Sequence, residues 1–252
     1  MVESIKGILV KKKEITKDLF ILWIKPSHPL LFEPGQYLTL GKDGIERPYS
    51  IFSSPHEENI EIFLELVPKS LTTEKSLSPK LFSLKLGDDV DIRPRTRGKF
   101  VLETEAETHI MLATVTGIAP FISMVRAYLH GHYKQKFEKP WYIFHGASYQ
   151  DEFGYTQELT QATQTGKIIY IPTISRPQDP RNQGWKSTTG RVNLIIDDYL
   201  KKYTLIPNNK TMAYLCGNKG MIEYLGNKRV KPDLPLGKLV QAGYKVREEV
   251  FF

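Results

Sequence analysis

Near residue 105 the spacing of apolar residues changes, and that change limits the folds open to this chain more than any other feature. Before it, SIKGILVKK, LFILWIKP, QYLTLGK, RPYSIFS, NIEIFLELV and DDVDIRP alternate apolar with polar residues or are rich in β-branched and aromatic side chains. Pro, Gly, Asp or Asn separate them, so the first hundred residues read as short antiparallel strands closing into a barrel or sandwich. One helix interrupts the strands, with Ser78 expected as its N-cap, Pro79 in its first turn and Gly87 as its stop. After the acidic linker LETEAETH, the strand-like HIMLAT, WYIFHGA, KIIYIPT and MAYLCGN intersperse with the helix-like PFISMVRAYLHG, YTQELTQAT, RVNLIIDDYLKK and GMIEYLGN. Strands alternating with helices predict a parallel sheet covered on both faces. The expected architecture is therefore a β-barrel over 1–104 and a doubly wound α/β domain over 105–252.

Composition narrows the function. A chain of 252 residues, 40% hydrophobic and 25% charged, has the make-up of soluble globular domains, which excludes disordered and fibrous classes. A net charge of +7 favours acidic partners or polyanions. A single cysteine excludes a disulfide framework, a structural zinc cluster and an all-cysteine iron–sulfur site, and no metal is expected. The N-terminus meets its acid and lysines too early for a secretory signal, and no stretch reaches the roughly 18 apolar residues that span a bilayer. A cytoplasmic protein that does not enter the membrane is the expectation.

The most informative stretch is RPYSIFSSP, Arg47 to Pro55. Arginine clamps phosphate, a tyrosine ring stacks on a flat heterocycle, and a serine hydroxyl can bond a ring nitrogen. An ordinary barrel strand with an exposed arginine fits these residues equally well. SLSPKLFSL offers a helix start, which serves either as an anion site or as a plain structural cap. LATVTGIAPF joins the second domain's first strand to its first helix, and Gly117 allows the tight turn that dinucleotides approach. TISRP ends a strand on Ser175 and Arg176, with Arg191 following in TTGRV; the set suits a 2′-phosphate or is a surface arginine pair. LCGN puts Cys216 at a strand end, as a small buried hydrophobe or beside a reacting ring, with no basic neighbour in sequence to activate it.

Together RPYSIFSSP, LSPKL, GKFVL, TGIAPF, ISR and CGN, in this order over nearly the whole chain, resemble the bacterial ferredoxin (flavodoxin)–NADP reductases of the FAD-dependent ferredoxin reductase superfamily. RPYS and CGN mark the superfamily, and ISR with a later arginine marks its NADP users. The resemblance implies an FAD-binding barrel and an NADP-binding α/β domain. It gives Arg47, in its R-P-Y-S strand with Pro48, to the FAD pyrophosphate, Tyr49 to the isoalloxazine face, and Ser50 to the flavin nitrogen that accepts hydride. Leu66 and Val67 correspond to the strand beside the ribityl chain, and Ser78 to the pyrophosphate cradle. Thr116 and Gly117 correspond to the NADP turn, and Ser175, Arg176 and Arg191 to the 2′-phosphate pocket. Cys216 matches the cysteine beside the nicotinamide, so that Tyr49, Ser50 and Cys216 form the implied catalytic set. Phe251 and Phe252 match an aromatic tail over the flavin or its adenine. Two positions depart from the pattern: Val115 stands where a glycine is usual before Thr116, and HGASY offers Ser148 where several relatives have an arginine.

The implied activity is electron transfer between NADPH and an acidic ferredoxin or flavodoxin, by a monomer docking its carrier near Arg93, Arg95 and Arg97. An NAD(P)H–flavin reductase, or a reductase subunit of a larger oxidoreductase, is the alternative among enzymes. A basic nucleic-acid-binding barrel is the alternative from another class, and it leaves TGIAPF, ISR and CGN without a role.

Overall fold

The computed structural model describes residues 4–226 and 237–250, so Phe251 and Phe252 lie outside the described residues. By its contacts the chain divides into two units, Met1–Leu102 with Ala119–Tyr133, and Glu103–Ile118 with Lys134–Phe252. The first helix after the linker, α2 (Ala119–Leu129), thus groups with the first unit, whereas its sequence pattern had placed it in the second.

The first unit carries β1 (Ile5–Glu14), β2 (Leu19–Pro26), β3 (Tyr37–Lys42), β4 (Ile45–Ser50), β5 (Ile60–Glu65), α1 (Ser78–Ser83) and β6 (Asp89–Arg97). The six segments with alternating patterns are its strands, in the order β4-β3-β6-β1-β2-β5 and antiparallel at every pairing. Asp43 and Gly44 join β3 to β4 with φ of 51° and 76°, the left-handed pair that a two-residue hairpin turn requires. Leu9, Phe20, Leu22, Leu38, Ile62 and Val90 are buried inside, each worth about 1.5–3 kcal/mol. The ends of the sheet meet where the Phe52 N–H donates to the Glu61 carbonyl at 2.9 Å, which curls the six strands into a barrel.

Helix α2 is tied to this seam. Ser123 Oγ donates to the Ser53 carbonyl at 2.7 Å. Arg126 Nη1 lies 2.5 Å from Glu61 Oε2 and 3.3 Å from Glu57 Oε1. The Glu61 side chain is only 3% exposed, so Arg126 supplies the countercharge that its burial demands.

The second unit carries β7 (Thr108–Thr114), a 3₁₀ turn (Val115–Ile118), β8 (Trp141–Ala147), α3 (Thr156–Thr163), β9 (Ile168–Ile174), β10 (Thr188–Thr189), α4 (Val192–Lys202), β11 (Thr211–Gly217), α5 (Lys219–Leu225), α6 (Lys238–Gln241) and β12 (Lys245–Val250). The strand order is β10-β9-β8-β7-β11-β12, parallel throughout. Strands β8 and β11 are buried along their whole length and β7 up to Thr114, which is why they read as continuous apolar runs. Val192 and Ile196 of α4, Met221, Ile222 and Leu225 of α5, and Leu239 of α6 form one core with the central strands. Strand order runs outward from β7 in both directions, so the topological switch point lies between β7 and β11, the place where open α/β sheets bind ligands.

Candidate active site

In the first unit the site is built on β4. It is the sheet's edge strand, so Pro48 can sit in its middle without costing a ladder hydrogen bond. Arg47 pairs with Leu40 and Tyr49 with Leu38 on β3. The exposed Arg47 guanidinium donates to the Glu46 carbonyl at 2.7 Å and the Lys75 carbonyl at 2.8 Å. No carboxylate pairs with it among the described residues, so its charge stays uncompensated. The Tyr49 ring packs against the barrel core, and its burial, partly offset by Arg47, lifts the phenol to about 12 and keeps it neutral. Ser50 is buried at the strand's end.

Two expectations for this unit need correcting. Ser78 does not cap α1: the cap position is Leu77, and Ser78 is the first helical residue. Its hydroxyl instead accepts the Val67 N–H at 3.0 Å, pinning that chain to the helix start. Leu66 and Val67 are also not part of a strand but follow β5, with the Leu66 N–H donating to the Asp18 carbonyl at 2.7 Å.

In the second unit the site gathers at the carboxyl ends of β7 and β11. A Cβ on Gly117 would lie 2.3 Å from the Cys216 carbonyl oxygen and 2.7 Å from Gly217 Cα, so the turn touches the end of β11 backbone to backbone. Gly217, at φ 128°, has no room either, since a Cβ there would meet Thr114 Oγ1 at 2.2 Å. That hydroxyl accepts the Asn218 N–H at 2.7 Å, and Asn218 Oδ1 in turn caps α5. Val115, the departure from the family pattern, has φ 44°. A β-branched residue in this left-handed region is a true outlier, costing on the order of 1–3 kcal/mol. Cys216 is wholly buried, and burial first, then the Glu249 carboxylate, pushes its thiol well above the ordinary value. It is a protonated thiol and not a nucleophile.

The remaining residues cluster on the loops after β8 and β9. Arg176 Nη1 donates to the Tyr149 hydroxyl, while the Arg181 guanidinium lies over the Tyr149 ring, 3.7 Å from its centroid. Arg181 also forks onto Asp151 at 2.7 and 2.9 Å. Buried Asn182 knits the loops together: Nδ2 donates to the carbonyls of Ser148 and Arg176, and Oδ1 accepts the Gln150 N–H. The Ser175 N–H bonds the Ala147 carbonyl at 2.9 Å, and the Ser148 N–H bonds Glu152. Arg191 stands at the cap position of α4, exposed and without an ion pair among the described residues. A cation there opposes the helix dipole, so the position favours an anion brought to it. Sequence reading missed Tyr149, Arg181 and Asn182: an aromatic and an arginine on loops at strand carboxyl ends were visible, but nothing in the sequence says that they converge.

An antiparallel barrel with R-P-Y-S on its edge strand, and a parallel sheet with a glycine-tight turn at its switch point, define the two-unit flavin- and nicotinamide-dependent reductases. Residues 111–226 match the oxidoreductase NAD-binding domain family. The flavodoxin/ferredoxin–NADP reductase of Escherichia coli (strain K12) is 32% identical over 234 residues, covering 88% of each chain. The NAD(P)H-flavin reductase of Aliivibrio fischeri is 27% identical over 181 residues, covering 69% of this chain and 72% of its own. Among solved structures, a ferredoxin NADP+ reductase from Neisseria gonorrhoeae with bound FAD and NADP shares the fold at a TM-score of 0.74 and 19% identity, over 98% of each chain. The chain belongs to the flavodoxin/ferredoxin–NADP reductase family, and it is an oxidoreductase.

Proposed function

We propose that this enzyme moves electrons between NADPH and a ferredoxin or flavodoxin through FAD. The observation that carries the proposal is the 32% identity to a flavodoxin/ferredoxin–NADP reductase over 88% of both chains. When bound, the nicotinamide and flavin supply hydride transfer and the flavin supplies one-electron steps, so the protein's task is positioning.

The donor set suits both groups. In the first unit, Arg47 brings a full positive charge to the pyrophosphate, Tyr49 a neutral ring face to the isoalloxazine, and Ser50 a hydroxyl to the flavin nitrogen. Pro48 stiffens this strand, while Val67 and Leu66 flank the flavin on a chain held by Ser78. In the second unit, the missing Cβ of Gly117 lets the Thr116–Gly117 turn pack directly on the end of β11, and the dinucleotide approaches the turn so held. Ser175, Arg176 and Arg191 take the 2′-phosphate, and Cys216 packs as a neutral thiol behind the nicotinamide site. Phe251 and Phe252, outside the described residues, are assigned by resemblance alone to cover the flavin.

The acidic carrier is proposed to dock on β6, by a monomeric enzyme. Arg95 and Arg97 are exposed and make no ion pair among the described residues, whereas Arg93 is bound to Glu46 at 2.8 Å and contributes less. A cytoplasmic site of action is part of the proposal. It is supported by the one cysteine, which is a free thiol. Among the described residues no helix is long and apolar enough to cross a membrane.

The test is the absorption spectrum of the purified protein, followed by diaphorase assays with NADPH and NADH, then with ferredoxin and flavodoxin as acceptors. A protein with flavin bands that prefers NADPH and reduces a carrier is expected. A protein that releases free reduced flavin and reduces neither carrier would instead be a flavin reductase.

A further inference from the structure

Val115 holds a backbone conformation that its own side chain opposes, so the residues around it must impose it. One imposes it directly. His145, on β8 and wholly buried, lies with Nε2 2.9 Å from the Val115 carbonyl oxygen. Its other nitrogen, Nδ1, lies 3.1 Å from the Tyr170 hydroxyl on β9. Burial holds the imidazole near 4, so it is neutral at pH 7 and carries one ring proton. A carbonyl oxygen can only accept, so the proton is on Nε2, and bare Nδ1 accepts from Tyr170. The ring is braced edge-on by Phe153 at 4.9 Å, and Val115 itself packs on the Ala147, Phe153 and Ile174 cluster. Every element of this arrangement comes from strands β8 and β9 and the loops that follow them, and its point of action is the residue immediately before Thr116 and Gly117.

We propose that His145 is a positioning residue: through its hydrogen bond to the Val115 carbonyl, with Tyr170 fixing its tautomer, it locks the left-handed turn that presents Thr116 and Gly117 to the dinucleotide. The proposal rests on reading Val115–Ile118 as the NADP turn. In this chain the histidine takes over the constraint that a glycine would make unnecessary.

The test uses the flavin-loaded enzyme with NADPH or NADH as donor and ferricyanide as acceptor. Losing one hydrogen bond to the turn raises the KM in His145→Leu by about three- to tenfold. The rise is equal for NADPH and NADH, because the turn does not touch the 2′-phosphate, and the flavin spectrum is unchanged. His145→Gln, whose amide N–H reaches the same carbonyl, recovers most of the loss, and Tyr170→Phe shows a smaller rise. In the Val115→Gly background, where the turn is no longer strained, His145→Leu has little further effect. An equal rise in both backgrounds, or a lowered melting temperature with unchanged KM, would overturn the positioning role. Thr116→Trp separates this from the underlying reading. If it leaves KM unchanged, the turn is not the NADP site. If it raises KM while His145→Leu does not, the turn stands and the positioning role falls. Should His145→Leu fail to fold, His145→Gln and Tyr170→Phe in both backgrounds decide by the same criterion.

Discussion

Replacing Arg126 by Met would test the attachment of α2 to the barrel. The side chains are of similar length, so the packing of the stem survives while the charge goes. Glu61, 3% exposed and 2.5 Å from the arginine, then keeps a buried carboxylate without its cation. Breaking a buried pair from one side costs about 3–5 kcal/mol, which at 2–4 °C per kcal/mol for a chain of this size is roughly 6–20 °C in melting temperature. The second contact, to Glu57 at 3.3 Å, lies at a more exposed carboxylate and adds little. The double variant Glu61→Gln with Arg126→Met removes both charges and should recover about 2 kcal/mol or more of the loss. Release of bound flavin, followed by its fluorescence on heating, reports on this unit directly. An Arg126→Met protein that melts within a degree or two of the parent, or a double variant as unstable as the two single losses added together, would refute the role given to this ion pair.

Other expectations follow from the two half-sites. Arg47→Ala removes a charge-assisted contact worth about 1.5–3 kcal/mol, so FAD should dissociate about 10- to 150-fold more readily; Tyr49→Ala should also weaken retention, and full flavin occupancy with unchanged dissociation in both would refute the assignment. Arg176→Ala and Arg191→Ala should raise the KM for NADPH far more than for NADH, and equal effects would give these arginines to the fold or the pyrophosphate. Carrier reduction should fall with salt as the screening length shrinks to about 8 Å near physiological ionic strength, while ferricyanide reduction follows another profile; removing the charges of Arg95 and Arg97 without slowing the carrier would end the docking proposal. His145 and His109 are both held near 4 by burial, below an ordinary value of 6.5. Because the folded state depresses both, the stability they confer is complete above pH 6.5 and is lost as pH falls toward 4, at a slope approaching 1.4 kcal/mol per pH unit for each. Urea midpoints from pH 7 to 4.5 should show the slope, and His145→Gln should flatten it.

Among the barrel strands β1 shows the alternation of a half-exposed strand, whereas β2 and β5 are buried along most of their length and were legible from their β-branched and aromatic residues. The central strands of the parallel sheet were legible as apolar runs. Strand β12 was not, since Lys245, Arg247, Glu248 and Glu249 leave only valines to mark it. It exists because β11 offers a complete pairing edge from Met212 to Gly217. The placement of α2 was equally hidden: its pattern says helix, but only its contacts in three dimensions, Arg126 on Glu61 and Ser123 on the Ser53 carbonyl among them, say which core it joins. At the candidate site, the residues on single strands and turns could be named from short motifs. The Tyr149, Arg181 and Asn182 cluster could not, because its members come from separate loops and converge only in three dimensions. The strain at Val115 was visible as a missing glycine, yet the histidine that answers it lies thirty positions away on another strand.

The grouping of Ala119–Tyr133 with the barrel has a consequence for how the enzyme is made. A ribosome whose exit tunnel has released the chain as far as the linker at residue 105 has delivered all six barrel strands but not the helix that carries Arg126. Until residue 126 clears the exit tunnel, the Glu61 carboxylate lacks Arg126 and has to stay hydrated or protonated, which holds the seam between Phe52 and Glu61 open to water. The nascent barrel therefore waits, unfinished, while the first strand of the next unit is synthesised in between. For the same reason a fragment cut at the linker would lack its own closing piece, and excising the flavin unit intact requires splicing residues 119–133 back onto it.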